Sequence, residues 1–204
     1  MGIKVKICGL TREIDIAAIN HTLPDYAGFV FAPVSKRYIS PLCAGELIKK
    51  LDERIISVAV LKDCDVDEAV SAVRQSGVRA VQLHGNQDNE YIRRLKAEVN
   101  IPVIKAFTAP DSDTLKEIQN SEADYILLDG LIPGSGRQWD YDMLIGLPNE
   151  ILSRTFIAGG INASNVINPA KFHPYAFDVS TGVEKDGVKD AGMIEQFVNT
   201  IRGL

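Results

Sequence analysis

The chain has 204 residues, of which 46% are hydrophobic, 24% charged and 7% aromatic, with a net charge of -5. That apolar content excludes disorder over most of the length, and a chain of this size buries a core without disulfide or metal staples. The acidic balance argues against nucleic acid or an acidic membrane as partner, and no apolar run is long enough to span a bilayer.

The first predicted strand is Val5–Cys8, inside the opening segment MGIKVKICGLTRE. This segment has no long apolar stretch, so it is not read as a secretory signal, and it lacks the Ser or Thr of a myristoylation pattern. The next predicted strands are Ala27–Phe31 and Ile56–Leu61. A helix is predicted from Asp65 to Arg74, where Val66, Ala69, Val70 and Val73 share one face. Asp65 can cap its start, and Gly77 stands where a helix end favours positive φ. The fourth strand is Ala80–Leu83, followed by a helix over Asn89 to Val99. Then come the strand Val103–Phe107, a weaker helix from Asp113 to Gln119, and the strand Tyr125–Leu128. Strands at Thr155–Ala158 and Phe177–Val179 precede a last helix from Gly192 to Ile201.

Eight strands alternating with helices imply right-handed βαβ units and a parallel sheet. The continuous apolar run IISVAVL fits a strand buried on both faces. The fold class expected is α/β, a single-domain (β/α)8 barrel spanning residues 1–204, at a compact ~25 residues per unit. An open doubly wound sheet is the rival, and it usually has fewer strands.

In a barrel the chemistry gathers where strands end. Gly159-Gly160 follows the seventh strand and Ser180-Thr181-Gly182 the eighth. Glycines there let backbone N–H groups approach an anion, and loops after strands seven and eight are a common phosphate site. Tight turns alone would also account for them. Cys8 closes the first strand, either as a small buried hydrophobe or as a base whose thiolate needs local positive charge. Asp129 ends the run Ile126-Leu127-Leu128. It could face the cavity, cap the next turn, or pair with a lysine such as Lys105. Asp178 occupies an equivalent place, and spacing does not choose between the two. Arg37 could grip a carboxylate or phosphate, or be a solvated arginine. His84 could bind a ligand, act as a base, or be structural. The three histidines lack metal-ligand spacing, so no metal is expected. Cys8, Cys43 and Cys64 form no disulfide framework, which points to a reducing, cytoplasmic compartment; Cys43 and Cys64 are read as structural.

Taken in order, KICGLTR from Lys6 to Arg12, Gly28-Phe29-Val30-Phe31 with Ser35 and Arg37, Gln82-Leu83-His84-Gly85, Leu127-Leu128-Asp129, Gly134-Ser135-Gly136, Ala158-Gly159-Gly160-Ile161 and the run from Asp178 to Glu184 form a set. By these motifs the chain resembles the phosphoribosylanthranilate isomerase family of tryptophan biosynthesis, from residue 3 to about residue 200. The resemblance implies a (β/α)8 barrel and an Amadori rearrangement of N-(5-phosphoribosyl)anthranilate without cofactor or metal. It implies Cys8 as general base and Asp129 as general acid. Arg37 is implied to bind the anthranilate carboxylate, and Gly159, Gly160, Ser180, Thr181 and Gly182 the phosphate. His84 and Asp178 join them as expected substrate-binding residues. The expected partner is a small phosphorylated substrate, and the chain a monomer or homodimer.

A Cys8 thiolate needs stabilising, and backbone N–H groups near Gly9 or a neighbouring cation are expected to supply it. Some positions depart from the family pattern. Pro133 replaces a usual glycine, Lys36 a common proline, Thr181 a frequent serine, and Lys62-Asp63 a short apolar-polar turn. None removes a proposed catalytic group. Two alternatives remain at this stage: another sugar-phosphate isomerase or epimerase, and a non-catalytic barrel that binds a phosphorylated ligand.

Overall fold

The structure is a computed structural model that describes residues 2–108, 112–130 and 140–204. Its eight barrel strands are β1 (Lys4–Cys8), β2 (Tyr26–Val30), β3 (Ile56–Lys62), β4 (Ala80–His84), β5 (Val103–Thr108), β6 (Tyr125–Asp129), β7 (Thr155–Ile157) and β8 (Ala176–Val179). Each pairs in parallel with the next, and β8 closes on β1 with Lys6 opposite Asp178. This is the expected closed barrel, and the open sheet is excluded.

The strand bounds differ from expectation at their ends only. Phe31 lies one residue past β2, although its N–H still donates to Val60 O at 2.9 Å. Ala158 lies one past β7 and donates to Leu128 O at 2.8 Å. Ladder bonds continue there while the chain already turns toward its loop.

The helices are α1 (Glu13–Thr22), α2 (Pro41–Ile48), α3 (Val66–Ser76), α4 (Asn89–Val99), α5 (Ser112–Asn120), α6 (Asn149–Leu152), α7 (Ile167–Ala170) and α8 (Ala191–Arg202). At α3, Asp65 Oδ1 accepts from Glu68 N–H at 2.8 Å, and Gly77 ends the helix at φ 67°. Helix α1 was not anticipated. The α1 segment EIDIAAINHT mixes apolar residues around its circumference, and its first turn is closed by a buried acid. Asp15 accepts from the Thr11 and Arg12 N–H groups at 3.1 and 3.0 Å. A hairpin of β9 (Glu184–Lys185) and β10 (Val188–Lys189) was also not anticipated, because two-residue charged strands carry no periodicity.

Two apolar layers hold the barrel. The larger lies between sheet and helices and includes Ile7, Phe29, Leu83, Leu128, Phe177 and Phe197. The smaller fills the barrel interior with Val58, Ile104, Leu127 and Phe156 among others. Below it Tyr26, Tyr125, Phe156 and Tyr175 pack edge to face or tilted, with the Tyr26 and Tyr175 hydroxyls 2.7 Å apart. Aromatic rings thus seal the N-terminal end. The polar residues of the barrel interior are left at the C-terminal end.

Candidate active site

A cavity of about 1380 Å3 opens at the C-terminal end of the barrel. Cys8, Arg37, His84, Asp129, Asp178 and Ser180 all line it, as do Gly159, Gly160 and Thr181. Every expected site residue is therefore there or, for Gly182, in the adjoining turn. Gly134-Ser135-Gly136 and Pro133 lie outside the described residues.

Cys8 is buried at the end of β1, two residues above Lys6 on the same inward face. Burial pushes its thiol up, the Lys6 and Lys189 ammoniums pull it down, Asp178 pushes it up, and the net direction is upward. Backbone amides do not serve it. Gly9 and Leu10 N–H both donate to Gly28 O, at 2.9 and 3.1 Å. Of the two expected stabilisers, the structure therefore presents cations. Lys6 is fully buried, and its Nζ donates to Asp178 Oδ1 at 2.9 Å. Asp178 is thus a charge partner beneath Cys8, which separates it from Asp129.

Two glycines make room for these groups. A Cβ at Gly28 would stand 2.9 Å from Cys8 Sγ. Gly9 has φ +87°, and a Cβ there would sit 2.3 Å from Arg37 Cδ. The turn after Cys8 is therefore what lets Arg37 lie across the site.

Arg37 is not a solvated arginine. Its Nε and Nη2 donate to the two Glu184 oxygens at 2.6 and 2.8 Å. Ser35 Oγ accepts from Arg37 N–H at 3.1 Å and helps shape the loop despite Lys36. Glu184 also accepts from Lys189 Nζ at 2.6 Å. Burial pushes the Glu184 carboxyl up, but these two cations hold it below the ordinary value.

Asp129 lies across the barrel on β6, and its Oδ1 accepts from Gly130 N–H at 2.8 Å. Lys105 Nζ instead donates to Gly85 O and Ala106 O, at 2.6 and 3.2 Å. Tyr141 stands near Asp129, and its hydroxyl donates to Gly159 O at 2.9 Å. His84 contacts Gln82 side chain to side chain. Burial first, then the charges of Lys6, Lys105 and Lys62, brings its imidazole down to about 4, so it is neutral at pH 7. Gln82 Oε1 is buried with no hydrogen-bond partner among the described residues.

The loops after β7 and β8 meet. Gly159 and Gly160 have φ 83° and 68°. Asn165 Nδ2 donates to Gly160 O at 2.8 Å and ties this loop down. Gly182 lies in a 3-10 turn over Thr181–Val183, where a Cβ would fall 1.9 Å from Ile161 O. Backbone from both loops thus converges, the arrangement that suits an anion.

Sequence reading missed Lys189, and it gave no role to Lys6, Gln82 or Glu184 although each stands within a motif. One signal for Lys6 was available: a lysine within a strand buried on both faces, in phase with Cys8. No group of metal-type side chains occurs among the described residues, nor does a helix long and apolar enough to cross a membrane.

A family model described as N-(5'phosphoribosyl)anthranilate (PRA) isomerase matches residues 5–200. The N-(5'-phosphoribosyl)anthranilate isomerase of Endomicrobium trichonymphae is 39% identical, covering 98% of this chain and 99% of the relative. The solved phosphoribosyl anthranilate isomerase of Thermotoga maritima, described elsewhere as dimeric, superposes with a TM-score of 0.88. It is 32% identical, with 99% of this chain and 100% of that chain covered. A phosphoribosyl anthranilate isomerase in complex with reduced 1-(o-carboxyphenylamino)-1-deoxyribulose 5-phosphate gives a TM-score of 0.85 at 31% identity, with coverage of 99% and 100%.

Proposed function

The chain belongs to the N-(5'-phosphoribosyl)anthranilate isomerase family and is an isomerase; from that premise we propose that Cys8 is its general base and Asp129 its general acid. The reaction is the Amadori rearrangement of N-(5-phosphoribosyl)anthranilate to 1-(2-carboxyphenylamino)-1-deoxyribulose 5-phosphate, in tryptophan biosynthesis. The observation that carries the roles is placement: Cys8 and Asp129 end β1 and β6 and line one cavity from opposite sides of the barrel.

Asp129 protonates the ribose ring oxygen as the bond from that oxygen to C1' breaks. The anilino nitrogen lone pair forms the C=N bond of a Schiff base. That bond acidifies C2'–H. Cys8 thiolate takes this proton, and the C–H pair forms a C1'=C2' enolamine while nitrogen regains its lone pair. Loss of the 2'-hydroxyl proton and protonation of C1' give the ketone. No redox cofactor or metal enters this balance.

Arg37 receives the anthranilate carboxylate, with Glu184 holding the guanidinium plane. Gly159, Gly160, Ser180, Thr181 and Gly182 cradle the phosphate. Neutral His84 and the unpartnered Gln82 oxygen offer hydrogen bonds to the opened sugar chain. Asp178 acts through Lys6. We place the activity in the cytoplasm, which three unpaired cysteines support.

The test is an isomerase assay with substrate generated in place from anthranilate and phosphoribosyl pyrophosphate. Wild type should quench the substrate fluorescence and yield the ketose product. Cys8→Ser and Asp129→Asn should each lose on the order of 10^2–10^4-fold in turnover while folding normally. Near-full activity in either variant removes that residue's role. Binding without turnover in wild type would make the chain a phospholigand binder.

A further inference from the structure

Lys189 lies on β10, and the functional reading gives it no role. Its side chain is 2% exposed. Burying an ammonium is costly unless its protons find acceptors. Here Nζ donates to Glu184 Oε1 at 2.6 Å, to Ser180 O at 3.0 Å and to Ser180 Oγ at 3.3 Å.

Each acceptor reaches a different part of the site. Glu184 holds Arg37 through both oxygens. Ser180 opens the loop after β8, and its hydroxyl donates to Cys8 O at 3.0 Å. The hairpin backbone is itself tied down, since Arg12 Nη2 donates to Lys189 O at 2.8 Å. One ammonium therefore bridges Arg37, the phosphate loop and the end of β1.

The charges around Cys8 add to this. The groups acting on it are Lys6 from its own strand, Asp178 from β8, Lys189 from the hairpin and Arg37 from the loop after β2. Lys6 is matched by Asp178, and Arg37 by Glu184. Lys189 must share Glu184 with Arg37. These ion pairs leave one positive charge in excess, and a thiolate at Cys8 cancels it.

We infer that Lys189 is a positioning residue: through Glu184 and Ser180 it sets Arg37 against the strand end that carries Cys8, and its charge favours the Cys8 thiolate. This rests on the isomerase reading above. The structural part, that Lys189 governs Cys8, can be tested without the reaction.

The experiment uses the full chain with Cys43→Ser and Cys64→Ser, so that only Cys8 reports. Two readouts are taken. One is the pH midpoint of Cys8 alkylation by iodoacetamide in the absence of substrate. The other is kcat and KM across pH. Lys189→Met should raise the alkylation midpoint by about one pH unit, move the acid limb of kcat/KM with it, and raise KM roughly tenfold through Arg37. Lys189→Arg should keep the midpoint near wild type. Glu184→Gln should raise KM without raising the midpoint, because it loosens Arg37 while removing a negative charge.

An unmoved midpoint in folded Lys189→Met overturns the inference. So does Lys189→Arg behaving like Lys189→Met. If Lys189→Met does not fold, Glu184→Gln decides, and a raised midpoint there overturns it. Should wild type alkylate as expected yet turn over no substrate, the isomerase reading fails and the assignment of Lys189 to Cys8 stands.

Discussion

At Cys8, desolvation and charge oppose each other. Burial favours the neutral thiol, two ammoniums favour the thiolate, and burial wins. A base held above its ordinary value is mostly protonated at neutral pH, and activity falls as pH drops below that value. We expect kcat/KM to rise with pH through neutrality and past 9, the ordinary thiol value. A profile flat over that range would mean that Cys8 is not the titrating base. His84 gives a second expectation. Its imidazole is brought down to about 4, so it stays neutral through the range where histidine usually titrates. No inflection should appear near pH 6.5; one that vanished in His84→Gln would contradict this environment. Cys8 and His84 were both visible in the sequence as strand-end polar residues. Their protonation was not, because it is set by burial and by charges most of which lie far off in the chain: Asp178 and Lys189 for Cys8, and Lys6, Lys105 and Lys62 for His84.

At the scale of elements, two loops depend on one missing side chain. An alanine at Gly182 would place Cβ against the Ile161 carbonyl, and a backbone oxygen cannot swing aside. Gly182→Ala should spread the loops after β7 and β8. Inhibition by a sugar-phosphate analogue should weaken at least tenfold, on the order of the 1.4 kcal/mol that corresponds to that factor. An unchanged inhibition constant would place the phosphate elsewhere. The α3 helix offers a prediction confined to stability. Asp65 and Glu68 cap it reciprocally, so Asp65→Ala should cost about 1 kcal/mol in urea denaturation. The sequence showed α3 well, because its apolar stripe has one period and its cap is local. It hid α1, whose apolar residues do not keep to one side and whose first turn depends on a buried Asp15.

For the molecule as a whole, the Lys6–Asp178 pair matters because it lies where the barrel closes. It joins β1 to β8 at 2.9 Å, with the Lys6 side chain fully buried. Lys6→Met would leave Asp178 buried and uncompensated, at a cost of about 3–5 kcal/mol. Replacing both by apolar residues of similar size should recover much of that loss. A single variant as stable as wild type would show the seam does not need the charge. Lys6 is lowered by burial but raised on balance by Asp178. A cation with a raised folded value stabilises below its unfolded value and loses that contribution only as pH rises through the folded one. The pair should therefore contribute steadily from pH 5 to pH 9, with its loss confined to pH above about 10.4.

The alternation of strand and helix, the glycine loops after the last two strands, and Cys8 and Asp129 at strand ends are all local patterns. Neighbouring residues create them, so the sequence by itself determined the barrel and many of the residues that line its mouth. The pairings within that mouth are of another kind. Lys6 meets Asp178 across 172 positions, and Arg37 meets Glu184 across 147. No periodicity links residues so far apart. Closure of β8 onto β1 brings them within 3 Å, so only the tertiary structure decided which charges surround the thiol and which hold the arginine.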